Sequence, residues 1–244
     1  MIGNLTVSVV IPALNEEATV AHVAQACLAS CADEVLVIDS DSTDNTAAEA
    51  ARVGVRVVGW RGVDKQKPWP GKGEALWRGV KAARGDVVVF VDADVTNVEP
   101  WWVDTLAAPF ADPAIHLVNA TYERLGAGGR VTELTAKPLL RTYFPQLASL
   151  DQPLAGEYAI RRETALQVPF VAGYGVEIGL LIDVYATHPN AITQVNLGKR
   201  THRNRPLSEL GPMADVVTRT VLSRAGVLPE GAAPLKQRPP WNKM

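Results

Sequence analysis

The first half of this 244-residue chain repeatedly alternates between short apolar strand patterns and helical patterns. Leu5 to Ile11 and Glu34 to Ile38 have strand character, and a helical period lies between them from Thr19 to Cys31. Asp86 to Val91 is almost wholly apolar, which is typical of a strand buried on both faces of a parallel sheet. These repeated βα units predict a doubly wound α/β fold with a mainly parallel sheet.

Polar side chains follow three of these predicted strands. The first strand ends at Pro12-Ala13-Leu14-Asn15-Glu16, the second at Asp39-Ser40-Asp41 and the buried one at Asp92-Ala93-Asp94. Because ligands of open α/β sheets bind outside the carboxyl ends of the strands, we expect all three clusters at one rim. No G-x-G-x-x-G sequence follows the first strand, and Gly71-Lys72-Gly73 lacks the Walker A spacing, so neither of those nucleotide-binding loops is predicted.

Asp92-Ala93-Asp94 carries the strongest chemical signal. Two carboxylates with one residue between them, just beyond a buried strand, can ligate a hard divalent cation such as Mg²⁺ or Mn²⁺. Such a cation neutralises a nucleotide diphosphate and stabilises the leaving group when a sugar bond breaks. A solvated turn is the alternative for the D-x-D pattern alone. The position of Asp92-Ala93-Asp94 beside two other polar clusters favours a metal site over a solvated turn.

Composition narrows the class of protein. A formal net charge of -2 argues against broad binding to nucleic acid or to an anionic membrane. Cys27 and Cys31 lie four residues apart in a helical pattern and are expected to be small buried hydrophobic residues. We find no signal peptide, lipidation motif or long apolar run, and therefore expect a cytoplasmic protein with no membrane partner.

The second half is less periodic. Strand patterns lie at Ile115 to Tyr122, Glu157 to Arg161 and Ala191 to Leu197, and helical patterns at Gly173 to Tyr185 and Ser208 to Ala225. We predict one domain with a nucleotide-sugar-binding half, 1–122, and an acceptor-binding and metal-completing half, 123–226. The proline-containing segment 227–244 is predicted to be a flexible tail.

The first-half motifs resemble those of the GT-A glycosyltransferases. Val9 to Glu17 is similar to their opening strand and the nucleotide-binding loop that follows it. Val37 to Thr46 is similar to their second strand and the loop after it. This resemblance implies a GT-A fold in which these two segments hold the base and the ribose. It also implies that Asp92 faces the nucleoside and that Asp94 ligates the metal.

The later motifs resemble the glucosyl-3-phosphoglycerate synthases, retaining enzymes that join glucose to 3-phosphoglycerate. These motifs are Gly71 to Trp77, Gly129 to Leu134, Gly173 to Gly179 and His202 to Leu207. The resemblance runs from about Val7 to Arg224, and members of the family carry extra residues, notably before the first strand. It implies a nucleotide diphosphate donor, with UDP-glucose favoured, a divalent cation, with Mg²⁺ favoured, and a homodimer.

Residue chemistry and resemblance together give the candidate site. The donor-binding candidates are Pro12, Ala13, Leu14, Asn15, Glu16, Ser40, Lys72, Asp92, Ala93, Tyr174 and Glu177. The acceptor-binding candidates are Gly129, Arg130, Val131, Thr132 and Asn204, and the metal-ligand candidates are Asp94 and His202. Lys72 stands between two glycines that allow close approach to a phosphate or uracil edge, and Arg130 can bind phosphate or carboxylate bidentately.

Glu177 and Asp94 are the catalytic candidates. A carboxylate at position 177 could act as the nucleophile of a double displacement. Alternatively, it could hold the sugar hydroxyls and stabilise positive charge at the anomeric carbon while transfer proceeds on one face. We favour the positioning role for Glu177.

Several alternatives share parts of this pattern. The sequence leaves UDP or GDP, and glucose or mannose, open, so a mannosyl-3-phosphoglycerate synthase is one alternative. An inverting transferase acting on a polyprenyl phosphate or polysaccharide often carries a hydrophobic anchor, and we find no long apolar run. The acceptor-like segment Gly129 to Thr132 also weighs against this alternative. A nucleotidyltransferase should have a glycine-rich opening loop, whereas Pro12-Ala13-Leu14-Asn15-Glu16 stands at that place here. A non-catalytic sugar-nucleotide-binding regulator would leave the donor, metal and acceptor residues without a task.

Overall fold

The computed structural model describes residues 4–124, 129–201 and 207–244. Its strands are β1 (Val7–Ala13), β2 (Glu34–Asp39), β3 (Arg56–Gly59), β4 (Val87–Phe90), β5 (Leu117–Arg124), β6 (Tyr158–Arg161), β7 (Phe170–Val171), β8 (Ile192–Arg200) and β9 (Gln237–Arg238). Its α-helices are α1 (Val20–Leu28), α2 (Thr46–Arg52), α3 (Lys72–Ala82), α4 (Pro100–Ala107), α5 (Lys137–Tyr143), α6 (Arg162–Ala165), α7 (Val176–Thr187) and α8 (Leu207–Arg224).

Within the described ranges, one sheet of seven strands has the order β3-β2-β1-β4-β6-β5-β8. β1 pairs in parallel with β2 and with β4, and β2 pairs in parallel with β3. β6 is antiparallel to both of its neighbours, β4 and β5, while β5 and β8 are parallel. The predicted doubly wound, mainly parallel α/β fold is confirmed.

Alternate side chains of the sheet enter two apolar layers. Val9 and Val89 face the layer that contains α1 and α4. Val10 and Val88 face the opposite layer, which contains α3 and α7. All four residues of β4 are fully buried, as its apolar sequence predicts for a strand covered on both faces. This central strand therefore fixes the position of the polar residues that follow it.

The strand and helix patterns of the second half are confirmed as β5, β6, β8, α7 and α8. The sequence patterns missed α4, and they missed the π-helical turn Thr132–Ala136 that leads into α5. Cys27 is buried and Cys31 half-buried, and both are free thiols, as expected. In the part of the chain that the structure describes, no helix combines the length and the apolar character needed to cross a bilayer.

The expectation of a flexible tail over 227–244 does not hold for the end of that segment. β9 pairs antiparallel with β7, and the Trp241 ring stacks on Trp77 with ring centroids 3.7 Å apart. Arg238 and Trp241 are only 3% and 8% exposed. Prolines and a scarcity of aliphatic residues suggested flexibility. One arginine and one tryptophan are enough to anchor the segment, because each finds buried partners far away in the sequence.

Candidate active site

The carboxyl ends of β1, β2 and β4 open into a cleft of about 600 Å³. Ala13 is the register partner of Asp39, and the Ser40 N–H donates to the Ala13 carbonyl oxygen at 3.0 Å. On the other side of β1, the Val91 N–H donates to the Val10 carbonyl oxygen at 3.2 Å. The three polar clusters consequently lie at one rim of the sheet, as the strand pattern predicts.

Most of the predicted site residues line this one cleft. They are Pro12, Ala13, Leu14, Glu16, Ser40, Lys72, Asp92, Ala93, Asp94, Gly129, Arg130, Val131, Thr132, Tyr174 and Glu177. Donor-binding and acceptor-binding candidates from the two halves of the chain therefore share one cavity. His202 and Asn204, which are predicted to bind metal and acceptor respectively, lie outside the described residues.

Asn15 is a donor-binding candidate that does not line the cleft. Its side-chain oxygen accepts a hydrogen bond from the Thr43 N–H at 2.8 Å, and its own N–H donates to the Ser42 hydroxyl at 3.0 Å. Its φ angle of 57° lies in the left-handed region, which asparagine tolerates better than most residues. Asn15 thus joins the loops that follow β1 and β2 rather than facing the cavity.

Lys72 lies at the centre of the cleft, at the start of α3. Its Nζ is 2.5 Å from Asp92 Oδ1 and 2.8 Å from Glu177 Oε1. Burial alone would lower the pKa of the Lys72 ammonium, but the negative charges of Asp92 and Glu177 raise it well above its usual value. Lys72 therefore remains protonated and holds two carboxylates from different elements side by side.

The glycines beside Lys72 permit this close packing. A Cβ at Gly71 would lie 2.8 Å from the Cα of Gly173, and a Cβ at Gly73 would overlap with the Val171 carbonyl oxygen. Gly71 also has a φ of 112°, which side-chain-bearing residues rarely adopt. The start of α3 can therefore lie directly against the segment that leads into α7.

Glu177 belongs to the first turn of α7 and is 8% exposed. Burial raises the pKa of its carboxyl, while the Lys72 charge acts in the opposite direction. The helix N-terminus adds a favourable positive potential near this carboxylate. Glu177 is thus held in place by Lys72 at the edge of the cavity.

Tyr158, on β6, adds a hydroxyl group that the sequence patterns did not reveal. This hydroxyl is buried and has no hydrogen-bond partner among the described residues. Burial, and then the charge of Glu177, raise the pKa of Tyr158 well above its usual value, so the hydroxyl keeps its proton.

Arg200, at the end of β8, is the main charged residue that sequence reasoning missed. Its Nε and Nη2 donate to the two carboxylate oxygens of Glu157, both at 2.9 Å, and Nη2 also donates to Asp92 Oδ2 at 3.0 Å. Burial alone would lower the pKa of Arg200, but its negatively charged neighbours, Glu157 foremost, together outweigh burial and raise the pKa above its usual value. The only sequence signal was a basic residue just before the motif that begins at His202.

Asp94 keeps one carboxylate oxygen without a hydrogen-bond partner among the described residues. Its Oδ1 is buried, and Nη2 of Arg200 lies 3.7 Å away. Burial, and then the charge of Asp92, raise the pKa of the Asp94 carboxyl. A buried acceptor oxygen beside a second carboxylate is a donor set that suits a hard divalent cation. Asp94 therefore fits the predicted role of metal ligand.

The described residues do not supply a full set of metal ligands around Asp94. Over the described ranges, no group of three or more His, Cys, Asp and Glu side chains is arranged to hold a metal ion. The predicted partner of Asp94 is His202, which lies outside those ranges. Further coordination of a cation by substrate phosphate oxygens would be typical of a nucleotide-binding site.

The acceptor-binding candidates lie where an irregular helical segment begins. Gly129 has a φ of 82°, and its carbonyl oxygen accepts the Glu133 N–H at 2.9 Å. Thr132 is 2% exposed and begins the π-helical turn, while Arg130 and Val131 lie half-buried beside it. The sequence motif indicates these residues, but it does not predict their π-helical geometry.

The sequence did not single out the other residues of the cleft: Gly71 and Ala75 lie within the motif Gly71 to Trp77 without a predicted role, and the rest carry no recognisable motif. These other residues are Trp60, Pro68, Pro70, Gly71, Ala75, Tyr122, Leu154, Gly156, Arg200, Leu210, Met213 and Val217. Gly156 is notable because a Cβ there would overlap with the carboxylate of Asp92. Leu210, Met213 and Val217 come from α8, which gives the cavity an apolar side.

The chain is similar to known glycosyltransferases over most of its length. The family model described as glycosyl transferase family 2 matches residues 8–169. The glucosyl-3-phosphoglycerate synthase of Mycolicibacterium paratuberculosis is 48% identical over an alignment of 244 positions that covers 93% of this chain and 74% of that protein.

Two crystal structures of glucosyl-3-phosphoglycerate synthase from Mycobacterium tuberculosis have closely similar folds. One contains Mn²⁺, UDP-glucose and phosphoglyceric acid, with a TM-score of 0.92, 45% identity, and coverage of 99% of this chain and 91% of that chain. The other contains Mg²⁺ and UDP, with a TM-score of 0.92, 45% identity, and coverage of 99% and 92% respectively.

Proposed function

Because this chain belongs to the glucosyl-3-phosphoglycerate synthases, with a domain of glycosyl transferase family 2, we propose that it transfers glucose from UDP-glucose to 3-phosphoglycerate. The observation that carries this proposal is the single cleft in which Lys72, Asp92 and Glu177 meet the acceptor candidates Arg130 and Thr132. The product is glucosyl-3-phosphoglycerate, and the enzyme is a metal-dependent hexosyltransferase.

The reaction exchanges one bond at the anomeric carbon for another. The bond between this carbon and the β-phosphate oxygen breaks, and a bond to the hydroxyl oxygen of the acceptor forms. The hydroxyl proton passes to the leaving diphosphate, so atoms and charge balance. We assign Pro12, Ala13, Leu14, Glu16 and Ser40 to the nucleoside end, because they line the rim formed by β1 and β2.

Asp94 and His202 would hold the divalent cation of this site. The cation supplies neutralisation of the diphosphate charge when it is bound. The support from this structure is the buried Asp94 Oδ1, which lacks a hydrogen-bond partner among the described residues. Relatives with Mg²⁺ or Mn²⁺ beside UDP agree with this donor chemistry.

We assign a positioning role in a retaining transfer to Glu177. Its carboxylate is already paired with Lys72 at 2.8 Å, which favours holding a sugar hydroxyl over attack on the anomeric carbon. A nucleophilic Glu177 would instead produce a covalent glucosyl-enzyme. Mass spectrometry of the protein quenched after mixing with UDP-glucose alone distinguishes the two roles, because a mass increase of one glucosyl unit would contradict positioning.

The acceptor end is assigned to Gly129, Arg130, Val131, Thr132 and Asn204. Arg130 can donate to a phosphate or carboxylate in a bidentate manner, and the segment around Thr132 offers N–H and hydroxyl donors. This combination suits a small acceptor that carries both kinds of anionic group. The division into a donor half, 1–122, and an acceptor half, 123–226, remains part of the proposal.

The direct test is turnover with defined substrates. The protein is incubated with UDP-glucose, Mg²⁺ and 3-phosphoglycerate, and UDP and the glucosylated product are measured by mass spectrometry. GDP-glucose, GDP-mannose and glycerol 3-phosphate serve as matched substitutes for base, sugar and acceptor carboxylate. Retention is checked from the anomeric proton coupling of the product by NMR.

The proposal fails if no sugar nucleotide gives product with 3-phosphoglycerate. Pyrophosphate release from UTP and a sugar phosphate would support a nucleotidyltransferase instead. Binding of UDP-glucose without any turnover would favour a regulator. Preferred use of GDP-mannose would correct the sugar and the base, leaving the acceptor assignment in place.

We also propose a homodimer in the cytoplasm. Leu134 and Leu207 are 77% and 71% exposed, so a dimer interface that covered either of them would remove apolar surface from water. The free thiols Cys27 and Cys31 suit a reducing compartment. Light scattering during size-exclusion chromatography measures the oligomer mass, and fractionation of cells that produce the protein tests its location.

A further inference from the structure

Residues 60–71, here named the donor loop, form one wall of the cleft. The loop contributes Trp60, Pro68, Pro70 and Gly71 to the lining and leads directly into Lys72. It begins with one short 3-10 turn, Trp60–Gly62, and most of its later side chains are exposed or half-buried. A segment of this kind has little apolar packing to fix it, so its position must depend on other contacts.

The first contact comes from Arg78, on the inner side of the donor loop. Arg78 is fully buried on α3, and its Nε donates to Glu74 Oε1 at 2.7 Å. Its other nitrogens donate to the carbonyl oxygens of Trp60, Asp64 and Gln66 at 2.8, 2.9 and 2.7 Å. One guanidinium thus satisfies three backbone carbonyls of the loop.

The second contact comes from Arg238, on the C-terminal strand β9. Its Nε donates to Glu74 Oε2 at 2.7 Å, so Glu74 is shared between the two arginines. Arg238 also donates to Gln66 Oε1 at 2.6 Å and to the Lys67 carbonyl oxygen at 2.7 Å. Its guanidinium carbon lies 3.9 Å from the centre of the Trp69 ring.

The same C-terminal segment also contacts the strand that leads to Tyr174 and Glu177. β9 pairs with β7, and the Ala172 N–H donates to the Lys236 carbonyl oxygen at 2.9 Å. The chain after Ala172 continues to Tyr174 and Glu177, which line the cleft. Residues 236–238 therefore contact the donor loop on one side and the strand before Glu177 on the other.

Trp241 anchors this segment to the fold. Its indole stacks on Trp77, and its Nε1 donates to the Trp77 carbonyl oxygen at 2.8 Å. In return, the indole N–H of Trp77 donates to the Pro239 carbonyl oxygen at 2.9 Å. Because Trp77 belongs to the helix that begins at Lys72, the C-terminal segment, α3 and the donor loop form one connected unit.

We propose that Arg238 is a positioning residue for donor binding, through which the C-terminal segment 236–243 holds the donor loop against the Lys72 end of the cleft. Arg238 does not line the cleft, so its effect is transmitted through Gln66, Lys67 and Glu74. The inference rests on the proposed function, in which this end of the cleft binds the UDP part of the donor.

The test compares three full-length variants. Arg238→Ala removes all loop contacts of this guanidinium. Gln66→Ala removes one of them from an exposed position and leaves the buried Arg238 and Glu74 pair intact. Arg219→Ala is the control, since this exposed arginine donates to the Ala233 carbonyl oxygen in the preceding part of the tail without touching the donor loop.

Binding of UDP in the presence of Mn²⁺ is measured by titration calorimetry, and separate KM values are measured for the donor UDP-glucose and for the phosphoglycerate acceptor. For Arg238→Ala we expect the Kd of UDP and the donor KM to rise about tenfold, the equivalent of ~1.4 kcal/mol. Gln66→Ala should raise both by about threefold, in line with one hydrogen bond of modest strength. The acceptor KM and the constants of Arg219→Ala should stay within about twofold.

Equal increases in both KM values would contradict the inference, because they indicate a general structural role. An unchanged Kd for UDP in folded Arg238→Ala, or in Gln66→Ala if Arg238→Ala does not fold, would also overturn it. Wild-type protein that binds no UDP would contradict the proposed function itself. Failure of the inference and failure of the function are thereby distinguished.

Discussion

Lys72 shows how much of the site depends on a single side chain. One ammonium group contacts Asp92 and Glu177, two carboxylates that would otherwise repel each other in a half-buried cleft. Burial raises the pKa of Glu177, and the Lys72 charge acts against that increase. In the proposed function, this arrangement places a positively charged group beside the diphosphate, and two negative partners hold that group in place.

Arg130→Ala tests the acceptor end at the same scale. We expect the acceptor KM to rise about 10- to 100-fold, because a hydrogen bond between charged groups contributes roughly 1.5–3 kcal/mol. The donor KM should change little. Initial rates with UDP-glucose and the phosphoglycerate acceptor varied in turn provide the measurement. The exposed Arg141, on α5, gives the control Arg141→Ala.

A larger effect of Arg130→Ala on the donor KM than on the acceptor KM would show that Arg130 serves the donor. An equal effect of Arg141→Ala would indicate that positive charge in this region, rather than a specific contact, attracts the acceptor.

Gly156→Ala tests the close approach of the backbone to Asp92. The added Cβ would overlap with the Asp92 carboxylate, so Asp92 must move away from Lys72 and Arg200. We expect kcat/KM to fall by at least about tenfold and the free energy of unfolding to fall by about 1–3 kcal/mol, as for other overpacked sites. Steady-state kinetics and urea denaturation measure the two effects.

Gly211→Ala is the matched control for this substitution. Gly211 lies in α8, and apart from its chain neighbours a Cβ there would meet no atom within 4 Å. Alanine favours a helix over glycine by about 0.5–1 kcal/mol, but Pro212 follows directly and disfavours helical backbone at a preceding residue that carries a Cβ. This variant should therefore change the free energy of unfolding by less than about 1 kcal/mol and be equally active. Full activity in Gly156→Ala would show that Asp92 need not occupy the position seen here.

Elements that are distant along the chain together build the charged cluster around Asp92. β6 contributes Tyr158 and is preceded by Glu157, while β8 ends at Arg200. β5 lies between these two strands, yet the buried Glu157 and Arg200 side chains meet at 2.9 Å and extend to Asp92. The second half of the sheet therefore supplies a counter-charge to the carboxylates that follow β4.

Glu157→Gln tests this contact between elements. Removing one charge from a buried ion pair typically lowers stability by roughly 3–5 kcal/mol, because its partner remains charged and buried. We expect a decrease at the lower end of that range, since Arg200 keeps Asp92 as a partner. Denaturant unfolding of Glu157→Gln and of the exposed control Glu163→Gln measures it. A loss below about 1 kcal/mol would mean that the pair contributes little.

For the whole molecule, the fold and the metal site are expected to be separable. The two apolar layers that flank the sheet are built without any metal ligand. EDTA should therefore abolish turnover and leave the far-ultraviolet circular dichroism spectrum unchanged. Adding Mg²⁺ or Mn²⁺ should restore activity. Unfolding caused by EDTA, or turnover that persists in it, would contradict this separation.

Asp94→Asn should reproduce the effect of EDTA, with kcat/KM lower by at least about 100-fold because the metal contributes several kcal/mol to the transition state. The exposed Asp215→Asn is its control. UDP with Mn²⁺ at about 100 times its Kd should stabilise the wild-type fold by about 2.7 kcal/mol, and much less in Asp94→Asn. Calorimetric melting curves provide the comparison.

The sequence alone determined the features that depend on neighbours in the chain. The apolar run before Asp92 predicted a strand covered on both faces. Because Ser40 and Asp92 each follow the carboxyl end of a predicted parallel strand, the sequence also predicted that they would share one rim of the sheet. The motifs around Lys72 and Arg130 identified the family. Each of these inferences uses local periodicity or a short fixed spacing, which a single sequence displays directly.

Only the tertiary structure decided which distant charges meet. Arg200 and Glu157 are 43 residues apart, and Arg238 and Glu74 are 164 residues apart, yet each pair shares a buried hydrogen bond. Burial and partner choice depend on how strands and loops are placed in space, so no local pattern could have distinguished Arg200 or Arg238 from an exposed arginine. For the same reason, the sequence predicted a flexible tail where the fold buries Trp241.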